Sequence, residues 1–290
     1  MKFLDRILLW LGSHWPGRYF VSRFVAGDTM ENAFRVAQEL NSQGFEAIIN
    51  FLGEEVKDKT QVWDNVNVYA ALMRGINQQK LKARISVKPS QLGLKIASDL
   101  YRQQLRWVGR DAFLNDIPLE IDIETEDAAG EIIQETINLV KYFPKLNLRQ
   151  AMAMNFKDSF IHLYNLTSVG VKVRLCKGAY SSKYSEKKIA KKFYFAASWL
   201  LRMKANQDFA THDLGLIKHI LSLKNEYPSP CGFQFLLGLR KRTWKQLAEK
   251  KERVAIYVPF GSHWLPYAKR RWTYIIKKIP SMICDEIAKK

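Results

Sequence analysis

The chain has 290 residues, of which 47% are hydrophobic, and a net charge of +18. This apolar content excludes an intrinsically disordered chain, and the length suits either one α/β barrel of roughly 250 residues or two smaller domains. A positive excess of this size indicates a nucleic acid, a membrane surface or an anionic ligand as partner, or else a solvated basic face.

Short strand patterns alternate with longer helical patterns along the chain. The predicted strands are 47–51, 83–87, 118–123, 146–152, 171–176, 207–211, 232–236 and 253–258. The predicted helices are 29–43, 61–78, 92–108, 128–142, 158–166, 185–203 and 214–223. This alternation predicts a (β/α)8 barrel with a parallel sheet, and an open doubly wound sheet is the alternative. No GxGxxG follows an early strand, which disfavours a Rossmann dinucleotide site.

The two ends of the chain differ in composition from the middle. Residues 1–20 contain one short apolar stretch without a small-residue cleavage site, which favours a helical N-terminal extension over a signal peptide. No apolar run reaches the roughly 18 residues that a membrane-spanning helix needs. The predicted organisation is one domain over residues 1–290, with the barrel at 21–275 and a basic tail at 276–290. We expect this tail to approach anionic lipid.

Three cysteines are present, at Cys176, Cys231 and Cys284. Their odd number and the absence of a CxxC spacing indicate neither a disulfide framework nor a zinc site, so we expect buried thiols and no metal. A reducing compartment fits this pattern. We therefore expect a cytoplasmic protein, which contacts the inner face of the membrane peripherally if the basic tail binds lipid.

Polar residues stand at or just after most of the predicted strands, where apolar packing does not explain them. In a barrel of this class, the carboxyl-terminal ends of the strands form the functional site. In chain order, the side chains concerned are Lys88, Asp122, Gln150, Arg174, Lys177, Thr211, His212, Gln234, Tyr257, Arg270 and Arg271. Cations are in excess among them, which predicts an anionic cofactor and a carboxylate substrate.

Several of these stretches resemble one family, the proline dehydrogenases. Residues 174–180, RLCKGAY, are similar to the RLVKGAY signature of that family. Further similar segments, in family order, are ISVKPSQLG at 85–93, IDIE at 121–124, ATHD at 210–213, FQFL at 233–236, YVPFG at 257–261 and WLPYAKRR at 264–271. The resemblance covers about residues 20–275. It implies a distorted TIM-type barrel that binds FAD, oxidises L-proline to 1-pyrroline-5-carboxylate and passes the electrons to a membrane quinone.

The resemblance also implies which residues hold the substrate. Arg270 and Arg271 match the paired arginines that bind the carboxylate, since a guanidinium fork gives two parallel charge-assisted hydrogen bonds. Lys88 and Asp122 match a strand-end pair near the substrate, and we expect them to form an ion pair that shapes the pocket. The tyrosines implied to line this pocket are Tyr180 and Tyr257.

A second set of residues is implied to bind FAD. Arg174 matches an arginine near the reactive nitrogen of the flavin, where a fixed positive charge stabilises the reduced, anionic form. Gly178 permits close approach of the backbone. For His212, a metal ligand is the alternative, although no clustered Cys or His supports it. The other implied cofactor positions are Gln150, Lys177, Ala179, Thr211 and Gln234.

The sequence departs from the family pattern at the expected substrate end. A glutamate that follows the paired arginines and pairs with the substrate amine is Tyr274 here, and family tyrosines are replaced by Met152, Met154 and Leu237. Three hypotheses stay open: oxidation of proline with weaker amine recognition, oxidation of a modified imino acid in a carbapenem-type biosynthetic pathway, or ligand binding without turnover. Other classes are an inactive barrel with a structural role and a nucleic-acid-binding protein. We expect no nucleic acid partner, because no helix-turn-helix, zinc-finger or RNP-like signature is present.

Overall fold

The structure is a computed structural model that describes residues 22–53, 56–178 and 183–268. The described residues form two compact units, 22–53 with 235–268, and 56–178 with 183–234. Within the described ranges, no helix combines the length and the apolar character needed to cross a bilayer. The predicted extension at 1–20 and the basic tail at 276–290 lie outside the described residues, and the predicted domain organisation stays a prediction.

Strands and helices alternate through the described part of the chain. The strands are β1 (Glu46–Phe51), β2 (Ala83–Val87), β3 (Leu119–Ile121), β4 (Leu148–Ala153), β5 (Lys172–Cys176), β6 (Asp208–Ala210), β7 (Gly232–Leu236) and β8 (Arg253–Phe260). The helices are α1 (Met30–Ser42), α2 (Lys59–Gln78), α3 (Ser98–Leu114), α4 (Ala129–Tyr142), α5 (Ser159–Ser168), α6 (Glu186–Arg202), α7 (Leu214–Glu226) and α8 (Lys241–Glu249). A short 3-10 helix spans Pro89–Leu92.

The strands follow one another in the order β1 to β8 in a closed barrel. The pairings of β1 with β8 and of each neighbouring pair from β2 to β7 are parallel. This confirms the predicted parallel barrel over the open doubly wound sheet. In the first unit, β1 pairs with β8, with Glu46 opposite Ala255. In the second unit, each strand from β2 onward pairs with the next one along the chain.

Two helix predictions were incomplete. The predicted helix at 92–108 starts too early, because the chain first forms the 3-10 helix and then a turn in which the Ala97 N–H donates to the Gly93 carbonyl, so α3 begins at Ser98. Helix α8 was not predicted. It spans nine residues and buries only Trp244 and Leu247, so few apolar positions mark it in the sequence.

The sheet of the second unit has two chemically different faces. Helices pack on one face, and the side chains there include Ile85, Ile121, Val173 and Phe209, which are fully buried. The other face is the barrel interior, and it carries charged and amide side chains at alternate positions along the strands. Because side chains alternate between the two faces of a strand, these strands present mainly apolar groups to the helices and polar groups to the interior.

In the first unit, Gly238 lies in a very close backbone contact. Its φ is +79°, and a Cβ atom at this position would come within 2.0 Å of the Arg23 carbonyl oxygen. Gly170 in the second unit has the same φ of +79°, but nothing lies within 4 Å of the position of its Cβ. The two glycines therefore differ in the space available, and both require a left-handed backbone.

Alanine substitutions at these two glycines separate the cost of a left-handed backbone from the cost of the close contact with the Arg23 carbonyl. Gly170→Ala should cost about 1 kcal/mol of unfolding free energy, because an L-residue is disfavoured in the left-handed region. Gly238→Ala should cost roughly 1–3 kcal/mol more, because the backbone must also move. The measurement is the midpoint of denaturant unfolding for both variants. Equal midpoints would contradict the close contact at Gly238.

Candidate active site

Six strands of the second unit each contribute one buried polar side chain to the interior. We call this set the inner charge ring, and its members are Arg84, Glu120, Arg149, Arg174, Asp208 and Gln234. Each is between 1% and 9% exposed. Barrel interiors of this type are usually filled by branched apolar residues, so a charged layer needs a specific explanation.

Glu120 on β3 contacts side chains of four other strands, and one of them is Arg149 of β4, whose Nη1 lies 3.7 Å from Oε1. Glu120 Oε1 lies 2.7 Å from Arg84 Nη1 and 2.7 Å from Gln234 Nε2, which donates a hydrogen bond. Its Oε2 lies 3.0 Å from Arg174 Nη1. Both carboxylate oxygens are therefore satisfied, as a carboxylate that is 1% exposed requires.

Asp208 on β6 is the second carboxylate of the inner charge ring. Its Oδ2 lies 3.0 Å from Arg84 Nη1 and 3.3 Å from Arg149 Nη1. Gln234 Nε2 donates to the same oxygen at 2.9 Å. Arg84 and Gln234 therefore bridge the two carboxylates, and each buried charge has an opposite charge in contact.

Arg174 connects the inner charge ring to the strand ends. Its Nη2 donates a short hydrogen bond to Asp122 Oδ1, which also accepts a hydrogen bond from Ser86 Oγ at 2.8 Å. The Lys88 ammonium lies 3.6 Å from Asp122 Oδ2. The predicted ion pair between Lys88 and Asp122 is therefore present. Contacts run without a break from Glu120 through Arg174 and Asp122 to Lys88.

The loop after β2 is held rigidly beside Lys88. The Glu124 carboxylate accepts the backbone N–H and the hydroxyl of Ser90, both at 2.8 Å. The Lys88 N–H donates to the Tyr69 hydroxyl at 3.4 Å, and this hydroxyl donates to Gln91 Oε1. Burial raises the pKa of Tyr69 far above its ordinary value, so the phenol stays protonated.

A second ion pair lies at the ends of β5 and β6. Lys177 Nζ is 2.7 Å from Asp213 Oδ2, and the Asp213 N–H donates to Thr211 Oγ1 at 3.2 Å. Asp213 also caps α7, since its Oδ1 accepts the backbone N–H groups of Gly215 and Leu216. Burial alone would raise the pKa of Asp213, but Lys177 and the backbone donors outweigh it and hold the pKa below its ordinary value. His212, between Thr211 and Asp213, is partly buried.

The backbone conformation at position 178 favours glycine. Its φ is +113°, and a Cβ atom would come within 2.0 Å of Asn155 Oδ1. Gly178 lies two residues after the end of β5, the strand that carries Arg174, and directly after Lys177. The predicted close approach of the backbone at Gly178 is therefore compatible with the local geometry.

Gln150 points away from the barrel interior. Its Oε1 accepts a hydrogen bond from Thr136 Oγ1 of α4 at 2.6 Å, and its Nε2 donates to the carbonyls of Ile121 and Ala151 at 3.1 and 2.9 Å. The amide thus joins β4 to α4, and its predicted contact with a cofactor stays a prediction. Met152 lies on the same helix-facing side by alternation, so this departure from the family changes core packing and not the pocket.

The other predicted site residues are placed as follows. Tyr257 lies in the first unit on β8 and is partly buried. The predicted residues outside the described ranges are Ala179, Tyr180, Arg270 and Arg271, together with Tyr274.

The described part of the site is closer to electrical balance than the sequence indicates. Each of the predicted cations Lys88, Arg174 and Lys177 contacts a carboxylate. The residues missed by sequence reasoning are Arg84, Glu120, Arg149 and Asp208, which lie before the carboxyl-terminal ends of their strands. Their signal was the alternation of charged positions, as in Glu120-x-Asp122-x-Glu124.

The donor chemistry at these strand ends fits a bound anion such as FAD. A guanidinium, an ammonium and a hydroxyl come from Arg174, Lys177 and Thr211, and Gly178 leaves its backbone accessible. Positive and neutral donors of this kind bind phosphate and carbonyl oxygens. The cations are already oriented by carboxylates, so ligand binding does not require them to be ordered first.

Parallel barrels with charged strand ends form a class of enzymes, and comparisons with known proteins identify the family. The family model for proline dehydrogenase matches residues 33–273. Proline dehydrogenase 1 of Bacillus subtilis subsp. natto is 28% identical over 258 residues, which cover 86% of this chain and 84% of that protein. Proline dehydrogenase of Deinococcus radiodurans is 24% identical over 260 residues, with the same coverage of 86% and 84%. The chain belongs to the proline dehydrogenase family and is an oxidoreductase.

Solved structures share the fold. Proline utilization A from Bdellovibrio bacteriovorus, inactivated by N-propargylglycine, aligns with a TM-score of 0.83 at 18% identity, and the match covers 90% of this chain and 33% of that protein. Proline utilization A from Corynebacterium freiburgense aligns with a TM-score of 0.79 at 18% identity, over 98% of this chain and 34% of that protein. The chain therefore spans about a third of the proline utilization A chains it matches.

The environment of Cys176 leads to a test of pH dependence. Burial raises the pKa of this thiol to about 11, although the nearby Arg174 charge acts in the opposite direction. Its Sγ lies 3.4 Å from the Met152 carbonyl oxygen. Because only the thiolate reacts with iodoacetamide, Cys176 should react about 100-fold more slowly than free cysteine at pH 8. Its rate should rise tenfold per pH unit up to about 11.

The measurement is the alkylation rate of the Cys176 peptide by mass spectrometry between pH 7 and 11, with glutathione in the same tube as the reference. A rate at pH 8 equal to that of glutathione would contradict the raised pKa. A profile that levels off near the pKa of glutathione would do the same.

Proposed function

We propose that the protein oxidises L-proline to 1-pyrroline-5-carboxylate with FAD as its cofactor. The observation that carries this proposal is the buried guanidinium of Arg174 on β5 in a chain of the proline dehydrogenase family. Glu120 binds this guanidinium inside the barrel, and Asp122 binds it just after the end of β3. A fixed positive charge at a strand end of a parallel barrel suits a cofactor that becomes more negative when it is reduced.

FAD supplies, when bound, the acceptor for the two electrons that leave the substrate. The residues that would hold it are Gln150, Arg174, Lys177, Gly178, Ala179, Thr211, His212 and Gln234. Arg174 is the most constrained of those in the described ranges, since two carboxylates bind different nitrogens of its guanidinium. This orientation exists before any ligand binds, and such preorganisation is the main electrostatic contribution of an enzyme site.

The substrate side combines a carboxylate anchor with a rigid wall. Arg270 and Arg271 would bind the substrate carboxylate in parallel hydrogen bonds. The Lys88–Asp122 pair would form a wall beside the ring, because the loop after β2 holds Lys88 in place. The tyrosines that would line the pocket are Tyr180 and Tyr257. Fixing the ring in this way lowers the barrier mainly through orientation.

A second candidate substrate is a modified proline-like imino acid. The observation that favours it is Tyr274 at the family glutamate position, because a tyrosine does not supply a negative charge for the substrate amine. Losing one partner of a buried charge pair costs roughly 2–5 kcal/mol of binding. A modified or carrier-linked imino acid whose ring nitrogen carries less positive charge does not incur this full cost.

Anaerobic titration of the purified protein tests the cofactor and the substrate together. We expect the protein to bind FAD and to show the flavin absorbance bands. L-proline should bleach these bands, and a panel of cyclic amino acids should identify the preferred substrate. Bleaching only by a modified imino acid would support the second candidate. A protein that retains no FAD after incubation with excess cofactor would refute the proposed function.

Variants at the paired arginines give the control for this titration. Arg270→Met and Arg271→Met should each abolish bleaching by proline while FAD stays bound. Lys245→Met removes one positive charge from an exposed site on α8, and this variant should titrate like the unaltered protein. Normal bleaching in either arginine variant would refute the carboxylate assignment.

We further propose that a membrane quinone is the electron acceptor and that the protein works at the cytoplasmic face of the membrane. The support is the basic tail at 276–290, since each Lys or Arg near an anionic surface contributes on the order of 1 kcal/mol. A soluble quinone analogue should restore the flavin bands after bleaching. A lack of reoxidation by the analogue would exclude a quinone acceptor.

Deletion of residues 276–290 tests the membrane contact. The full chain should sediment with vesicles that contain phosphatidylserine at low salt and should dissociate as salt rises, because the attraction is screened. The truncated chain should not sediment, and its flavin bleaching should be unchanged. Binding that is insensitive to salt or to the deletion would contradict the role of the tail.

A further inference from the structure

We propose that Glu120 is a positioning residue that orients Arg174 and Gln234 and sets the charge behind the flavin. This inference rests on the proposed flavin-dependent function and adds a residue that the resemblance does not mark. Glu120 Oε2 lies 3.0 Å from Arg174 Nη1, and Oε1 accepts a hydrogen bond from Gln234 Nε2 at 2.7 Å. Two of the residues implied to bind the cofactor therefore share one carboxylate.

Glu120 acts through its neighbours because it is itself only 1% exposed. Contacts on both of its oxygens fix the carboxylate, so the carboxylate in turn fixes the directions of the two donors. Arg174 then presents a defined edge of its guanidinium, with Nη2 bound by Asp122. Of the two described ion pairs of Arg174, the one with Asp122 remains when Glu120 is removed.

The Glu120 carboxylate also weakens the electric field that the Arg174 guanidinium produces around it. A negative charge in direct contact with a guanidinium partly cancels its field, and in a buried site this effect is weakly screened. A flavin beside Arg174 gains negative charge on reduction. Removing the Glu120 charge should therefore make reduction easier and move the midpoint potential to a more positive value.

Asp208 provides a matched control within the same ring. It is also 1% exposed, and it also contacts Arg84 and accepts a hydrogen bond from Gln234. Both carboxylates form ion pairs with Arg84 and Arg149. Among the described ion pairs of the two, the one with Arg174 belongs to Glu120. Asp208→Asn thus removes the same charge from the same layer and leaves the Glu120–Arg174 contact intact.

The experiment measures the flavin midpoint potential of holoenzyme carrying Glu120→Gln or Asp208→Asn. Both variants should lose thermal stability, since each leaves buried arginines with one partner fewer. The potential should become more positive in Glu120→Gln and should change much less in Asp208→Asn. Equal shifts in the two variants would refute the positioning role and leave a general effect of buried charge.

A milder variant guards against loss of folding in Glu120→Gln. Glu120→Asp keeps the charge but withdraws the carboxylate by one methylene, so Arg174 and Gln234 lose their fixed positions. The dissociation constant for FAD should rise at least tenfold in this variant. An unchanged constant would overturn the proposal, because the charge would then suffice without its position.

A measurement without flavin separates this inference from the proposed function. In the apoprotein, the guanidinium Nε–H signal of Arg174 can be assigned by its loss in Arg174→Lys. It should shift in Glu120→Gln and Glu120→Asp and stay in place in Asp208→Asn. A signal that stays in place in both Glu120 variants would refute the positioning role, even if the protein bound no flavin.

Discussion

The pairing of Glu120 and Asp208 with buried arginines is the constraint on which the second unit depends. Arg84 touches both carboxylates, and Gln234 donates to both, so the contacts cross between strands that are distant in sequence. Removing one partner of a buried ion pair typically costs about 3–5 kcal/mol, because the other charge is left without compensation. An apolar layer of the same volume would be at least as stable, but it would not fix the direction of a guanidinium such as Arg174.

This constraint links the scaffold to the chemistry at the strand ends. Arg174 belongs to both, since it binds Glu120 inside the ring and Asp122 at the strand end. Asp122 then holds Lys88, while Glu124 fastens the loop after β2 through Ser90. The site is therefore assembled by contacts between neighbouring strands before any ligand arrives. In this arrangement, the energy of ordering the cations belongs to folding and is not drawn from binding.

Sequence patterns predicted the alternation of strands and helices well, because periods of two and of about 3.6 residues are visible locally. They did not show which face of a strand meets the helices. Gln150, whose contact with the cofactor stays a prediction, also accepts a hydrogen bond from Thr136 of α4, and this contact becomes evident only from the register of β4. The inner charge ring was missed for a related reason: Glu120 and Asp208 are far apart in sequence, and no local pattern reports that barrel closure brings them to the same arginines.

The contacts that Asp122 already makes limit its ability to replace the family glutamate, which is absent from this chain. A proline zwitterion brings an ammonium that needs a negative partner, and Tyr274 does not supply one. Among the described residues, Asp122 is a carboxylate that is predicted to lie beside the substrate. Its two oxygens already contact Arg174, Ser86 and Lys88. A carboxylate committed to such contacts has little capacity to bind an additional cation. Asp122 is therefore a poorer partner for a substrate ammonium than the family glutamate would be, which supports the second candidate substrate proposed above.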